Sequence, residues 1–339
     1  MKINIFQWHY SPLLILGTLF LYSSNVNAYP LSLVDCDARI LTNPINISNT
    51  ITSANVGSAK INATLEYTCR SQIVGGYVSV CLAAKGGNDN PTAINPRYMM
   101  NRTNNNSTLP FIIILPEGKI WGTGTNGGSE YQAPQLYVPG LFGGSRSGTV
   151  PITVSLLPNI DGSLPTAGLY SNVFSGLSAT LTFDADTNQS DANCLTDRRE
   201  KKPIETFTVQ ATVINSCEIT TTNDVNLGSH PASNTNILGS RSNAIGVTCT
   251  KNAPYTIGLA PSNGNRDGSG VMSVTGNNDD KVPYQLRSAP GLNGTKWDNN
   301  GVTKTGSGAE QLESVYVTVP SADFKPDTYS DTVTIKVNY

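Results

Sequence analysis

The chain has 339 residues, of which only 14% are charged; 22 basic and 24 acidic side chains give a formal net charge of −2. That balance leaves no basic face for a nucleic acid, and the one dense cluster, Arg198-Arg-Glu-Lys-Lys202, reads as a solvated loop. The length suffices for two domains of ordinary size.

In chain order, residues 1–28 read as an export signal: Lys2, an apolar stretch Leu13–Tyr22, and a small-residue cleavage site Val26-Asn-Ala28. The apolar stretch is shorter than the roughly 20 residues that span a bilayer. Beyond it the pattern is period two, as in Tyr77-Val-Ser-Val-Cys-Leu82, Thr149–Leu156, Ser178–Phe183 and Thr256–Leu259, with Gly, Pro and Asn-Gly steps between. No window has helical periodicity with caps. The predicted fold is all-β: two tandem immunoglobulin-like β-sandwiches.

The second half repeats the first. Glu-Tyr-Thr-Cys69 answers to Gly-Val-Thr-Cys249, Leu109-Pro-Phe-Ile to Val282-Pro-Tyr-Gln, and Lys119-Ile-Trp to Lys296-Trp. Likewise Val154-Ser-Leu-Leu-Pro158 answers to Val317-Thr-Val-Pro320, and Leu169-Tyr-Ser-Asn-Val to Thr328-Tyr-Ser-Asp-Thr-Val. Six cysteines allow many pairings. The repeat selects Cys36–Cys69 and Cys217–Cys249, at spacings of 33 and 32, which leaves Cys81–Cys194. Each repeat bridge closes a loop worth about 3–4 kcal/mol in the chain-entropy model. There is no Cys-x-x-Cys, and thiolate ligation does not suit an exported chain.

Between the copies, Glu205-Thr-Phe-Thr-Val-Gln-Ala-Thr-Val-Ile-Asn-Ser-Cys217 alternates, placing Phe207, Val209, Ala211 and Val213 on one face. The second copy ends on a similar strand, Val333, Ile335, Val337 and Tyr339, whereas the first has one strand more. A long apolar edge left unpaired is an aggregation hazard, and a chain that keeps one is expected to receive a partner strand. The bland alternative is a short but complete sandwich.

The second copy resembles a spore coat protein U domain, the pilin module of archaic chaperone–usher pili. The resemblance rests on Cys217-Glu-Ile, Val247-Thr-Cys249, Pro254-Tyr-Thr-Ile-Gly-Leu, Met272, Val282-Pro-Tyr-Gln-Leu, Lys296-Trp, Val315-Tyr-Val-Thr-Val-Pro and Tyr329-Ser-Asp-Thr-Val-Thr-Ile-Lys-Val-Asn-Tyr339. The first copy matches more loosely. As a two-domain chain the whole is similar to the tip adhesin of such a pilus. The resemblance implies a C-terminal domain, 215–339, that lacks its last strand and receives one from the adjacent pilin subunit by donor-strand complementation. It also implies a periplasmic chaperone and an outer-membrane usher as partners, and a place on the cell surface at the pilus tip. Residues 204–214 then complete the N-terminal domain, 29–214, in cis, with Cys81–Cys194 pinning the loop that leads into them. The mature start, Tyr29-Pro-Leu-Ser-Leu-Val-Asp, is too short to be donated, so the chain receives a strand and gives none.

Catalytic chemistry is not expected. His230, in a polar loop, is the one histidine after the signal, and Asp184-Ala-Asp186 and Asp279-Asp280 lack the further acidic positions of a calcium loop. No cofactor or metal is implied. Binding is expected instead at three apolar, Gly/Pro-bounded loops that copy two lacks or shortens. One carries Ile73 and Val74. The next carries Leu136, Tyr137, Val138, Leu141 and Phe142. The third carries Leu157, Ile160 and Leu164. The resemblance implies that such apolar fingers hold a hydrophobic abiotic or host surface. A lectin that reads a host glycan through Asn-rich loops such as Asn101–Asn106 competes with that reading, as does a cap with no ligand. Whether all three loops share one end stays open, because an extra strand near Tyr98-Met-Met would flip the polarity of the third.

Overall fold

A computed structural model of the chain describes residues 34–103, 106–125, 127–140, 143–159, 163–190, 192–195 and 200–339. The expected export signal, Arg198 and Arg199, and three finger residues, Leu141, Phe142 and Ile160, lie outside the described residues.

The first copy contains β1 (Val34–Ile40), β2 (Ile45–Asn46), β3 (Lys60–Ser71), β4 (Gly76–Ala84), β5 (Arg97–Asn101), β6 (Thr108–Ile114), β7 (Tyr131–Gln132), β8 (Leu136–Val138) and β9 (Ser145–Leu156). It continues through β10 (Gly168–Phe174), β11 (Ala179–Asp186), β12 (Glu200–Pro203) and β13 (Phe207–Val213). The second copy contains β14 (Cys217–Thr222), β15 (Ile237–Cys249), β16 (Pro254–Ala260), β17 (Ser269–Met272), β18 (Val282–Arg287), β19 (Val302–Thr305), β20 (Glu310–Val319) and β21 (Thr334–Asn338).

Each copy stacks two sheets on a core of its own, because period-two strands bury one face each. In the first, the order β1-β3-β9-β6-β5-β10-β13-β2 packs against β12-β11-β4-β7, with β8 also on β4. In the second, β14-β15-β20-β18-β17 packs against β19-β16-β21. The bridges formed are Cys36–Cys69, Cys81–Cys194 and Cys217–Cys249.

The repeat extends to single hydrogen bonds. Trp121 donates its indole N–H to the Leu82 carbonyl at 3.0 Å, and Trp297 donates to Ile257 at 2.6 Å, so each buried ring is tied to the same central strand, β4 or β16. The Tyr170 hydroxyl donates to the Thr166 carbonyl at 2.6 Å and the Tyr329 hydroxyl to Lys325 at 2.8 Å. Both bonds reach four residues back, the tyrosine-corner device of immunoglobulin-like sandwiches. The first copy adds Arg97, fully buried with no carboxylate paired to it among the described residues. Its guanidinium donates to the carbonyls of Lys85, Ile94, Ala84 and Trp121, which satisfies the charge by dipoles alone and knots the end of β4 to β5.

One sequence expectation changes here, and one question left open is answered. The Arg198–Lys202 cluster is not simply a solvated loop: Glu200–Pro203 is a strand paired antiparallel to β11, and the Lys202 ammonium meets the Asp35 carboxylate. Lysine is common on such edge strands because its charge discourages further pairing. The three apolar loops also do not share one end. The second precedes β9 and the third follows it, and a 12-residue strand holds its two ends roughly 35–40 Å apart.

Candidate functional site

The first two apolar loops meet. β3 and β9 run antiparallel from Lys60↔Ser155 to Arg70↔Ser145, so the Gln72–Gly75 turn and the loop after β8 arrive at one corner of the sandwich. Ser71 N–H donates to the Gly144 carbonyl at 2.9 Å, and β8 pairs with the start of β4 through Gly76↔Val138. The backbones then touch at glycine. A Cβ on Gly75 would lie 2.2 Å from the Gly140 nitrogen, and one on Gly140 would lie 2.4 Å from the Gly75 nitrogen. No side chain fits between them.

What this corner displays is apolar. Ile73 is 58% exposed and Tyr137 54%, with Val74 also exposed. Tyr137 leans on Tyr77 with ring centroids 5.2 Å apart, a tilted pair that holds the ring upright. Leu136 is half-buried against the core. Val138, expected in the finger, is fully buried instead. Alternation along β8 turns it inward when Tyr137 points out.

In the third loop, Leu157 and Leu164 do not project as fingers, and Ile160 lies outside the described residues. Leu164 is 2% exposed. Its N–H donates to the Gly308 carbonyl at 2.8 Å, and Thr166 bridges Lys251, so the loop docks on the second sandwich. Leu157 is half-buried at the same junction. Nearby, Thr250, fully buried, pairs with the linker: its hydroxyl donates to Ile214 at 3.0 Å and accepts from Ser216 N–H at 3.0 Å.

The second candidate site is a sheet edge, and the repeat supplies its control. Leu82, whose carbonyl accepts from Trp121, pairs with Leu181 in copy one; Ile257, whose carbonyl accepts from Trp297, pairs with Val337 in copy two. β21 is therefore the counterpart of β11, in register. On its far side β11 carries β12. Ile204 follows, fully buried, and Glu205 N–H donates to the Ala38 carbonyl of β1 at 2.9 Å. The chain then runs as β13 between β10 and β2, with Phe207, Val209, Ala211 and Val213 all buried and Phe207 stacked on Phe174 at 4.6 Å.

β21 has no strand on that far side among the described residues. Val333, Ile335 and Val337 are half-buried and Tyr339 is exposed. On the facing edge, Ile219 stands two residues after Cys217, as Ala38 stands two after Cys36. Ala38 is 5% exposed and Ile219 is 39%. Sequence reasoning missed Ile219; the signal available was its place, Cys plus two, opposite the inward Val247. Just before β21 the chain is held by Tyr284, whose hydroxyl donates to Asp331 at 2.6 Å. Burial, and then that hydrogen bond and the Asp331 charge, push the phenol far above its ordinary value, so it remains a donor.

Filling the glycine contact tests the corner. Gly140→Val should push the two loops apart and cost about 1–3 kcal/mol, seen as a lower melting temperature of the first sandwich and loss of the Tyr77–Tyr137 contact by NMR. An unchanged melt would mean the loops do not nest as described.

Residues 204–336 match the Spore Coat Protein U domain. No curated protein matches the chain. Among solved structures it is similar to the CsuC–CsuE chaperone–tip subunit pre-assembly complex of the archaic chaperone-usher Csu pili of Acinetobacter baumannii, at 16% identity and TM-score 0.46, over 90% of this chain and 100% of that one. The CupB6 tip adhesin of Pseudomonas aeruginosa is similar at 12% identity and TM-score 0.34, over 90% and 94%. So is CfaE, the adhesive subunit of CFA/I fimbria of enterotoxigenic Escherichia coli, at 12% and 0.33, over 87% and 93%.

Proposed function

We propose that the chain is the tip subunit of a chaperone–usher pilus, closed in its first sandwich by its own residues 200–213 and open in its second. The observation that carries this reading is the pair Ala38 and Ile219: one position in the repeat, covered in one copy and bare in the other. The bare gap between β14 and β21 accepts an extended segment from the adjacent pilin, a β-augmentation that joins main-chain hydrogen bonds to burial of alternate side chains. A periplasmic chaperone guards that edge before assembly and an outer-membrane usher exchanges it. The spore coat protein U match over the second copy supports the same assignment.

The first sandwich attaches the fibre to surfaces, supporting biofilm growth. Its apolar corner, Ile73, Val74 and Tyr137, is an exposed patch of the kind that marks an interaction site. Pressing it on an apolar surface gains roughly 25 cal/mol per Å² buried, and many tips per cell multiply the effect. Leu141 and Phe142 are added to this finger set from the sequence alone.

Attachment to polystyrene by cells carrying Ile73→Ser, Val74→Ser and Tyr137→Ser together should fall about tenfold or more, since several such side chains are worth a few kcal/mol. Pilus number should be unchanged. Raising salt should not weaken attachment, because screening acts on charges. Parental attachment by the triple variant would leave a cap without a surface ligand.

A further inference from the structure

Contacts between the two sandwiches follow one another across the end of the sheet that holds β20, β15 and β14. The third loop meets the turn before β20, where Leu164 N–H donates to the Gly308 carbonyl, and then the end of β15, where Thr166 bridges Lys251. The linker comes next, with Thr250 N–H donating to the Ser216 carbonyl at 2.9 Å. Last is the turn after β2, whose Ser53 hydroxyl donates to the Glu218 carboxylate of β14 at 3.3 Å. β14 borders the open gap, so this turn of the first sandwich stands at the gap's edge.

The turn is rigidly built. Ile51, at its start, is fully buried and tied to β13 and the linker: its N–H donates to the Thr212 carbonyl at 2.8 Å, and its carbonyl accepts from Ile214 N–H at 3.1 Å. Asn55 knots the rest, as a turn asparagine does through its side chain. Its carboxamide oxygen accepts from Thr52 N–H at 2.9 Å, its amide donates to the Thr50 carbonyl at 2.9 Å, and its own carbonyl accepts from Ala59 N–H at 2.9 Å.

The repeat tells how far an occupant of the gap can run. Leu181 of β11 and Val337 of β21 are equivalent positions, and β12 pairs with Leu181 through Lys202. The Lys202 ammonium also meets Asp35, one residue before Cys36. Ser216, one residue before Cys217, is the counterpart of Asp35. Asp35 is exposed, whereas Ser216 is 7% exposed and held by Thr250. In copy one the filling strand extends past this level, with Lys201 paired to Thr182 and Glu200 to Phe183. In copy two the same direction leads into the first sandwich, at Ile214 and residues 51–53.

We infer that the first sandwich closes this end of the gap, and that the turn at residues 50–59 is a stop that sets how far a received strand runs. The inference rests on the strand-accepting reading of the second sandwich. Laid antiparallel to β21, as β12 lies on β11, the strand has its amino-terminal end against the stop and its carboxyl-terminal end leading away from the first sandwich. The occupant is the amino-terminal end of a partner segment, finishing level with Ser216. Residues ahead of that level find no edge to pair with. Register in the second sandwich is thus set partly by the first.

The test uses the full mature chain and two synthetic peptides, residues 202–214 and 200–214 of this chain, each prepared with a benzophenone photo-crosslinker at its amino or its carboxyl terminus. Both peptides should protect the amides of Thr334–Asn338, with dissociation constants within about twofold of each other. The amino-terminal label should attach within residues 50–59 and the carboxyl-terminal label only within the second sandwich, as mapped by mass spectrometry. Two outcomes would overturn the stop and leave strand reception standing. One is protection of Thr334–Asn338 with the amino-terminal label confined to the second sandwich. The other is binding of 200–214 about tenfold tighter than 202–214, the gain that a further hydrogen bond or two on an open edge would give. Protection by neither peptide would overturn both readings.

Discussion

Residues 29–214 should fold as a monomer with one cooperative transition, and residues 29–199 should not fold. The removed segment buries Ile204, Phe207, Val209 and Val213 almost completely. At about 1.5–3 kcal/mol for each large apolar side chain, these four contribute on the order of 6–12 kcal/mol. That is comparable to the whole stability of an ordinary domain. The loss also strips β10 of its partner along Gly168–Phe174 and uncovers β11. Circular dichroism and analytical ultracentrifugation on the two lengths decide it. A folded, monomeric 29–199 would show that the first sandwich closes without its own last segment.

The second large effect is expected from adding a strand where none is described. Because β21 is the counterpart of β11 in register, the segment that closes copy one is a template for what closes copy two. Fusing a second copy of residues 200–214 behind Tyr339, through a flexible Gly/Ser linker long enough to turn back, should cover Ile219, Val333, Ile335 and Val337. Each is about half-covered already, so the gain is about 1 kcal/mol apiece, or roughly 4 kcal/mol together. At about 4 °C or more per kcal/mol, the second sandwich should melt about 15 °C higher, and the bare chain's tendency to aggregate should fall. An unchanged melting temperature would mean the β14–β21 gap takes no strand.

How far these arguments were legible in the sequence depends on which physical term decides each residue. Alternation fixes which face turns inward, so the inward face of Phe207, Val209, Ala211 and Val213 could be read directly, whereas the correspondence of β11 with β21 comes from their pairing onto β4 and β16. The destination of an apolar loop residue is a tertiary matter. Leu164 is buried because Gly308, far along the chain, meets it, and nothing local in Ser163-Leu-Pro says so. Yet the end at which it lies could have been deduced, since the alternating run Thr149–Leu156 separates the second loop from the third. β12 was hidden by its charge, as a lysine-bearing edge strand looks locally like a loop. Ile219 looks in the sequence like any residue of the Cys217-Glu-Ile motif, and its significance emerges when its exposure is set against that of Ala38.

The central claim is that one gap is filled by the chain itself while its equivalent stands open. Hydrogen–deuterium exchange on the full mature chain, alone and with the strand fused behind Tyr339, compares the two gaps in one molecule. Amides of Phe207–Val213 should be protected in both samples, since β13 is paired on both sides. Amides of Thr334–Asn338 should exchange early in the chain alone, as expected of a low-stability edge, and become protected in the fusion. Equal protection of β21 and β13 in the chain alone would contradict the account.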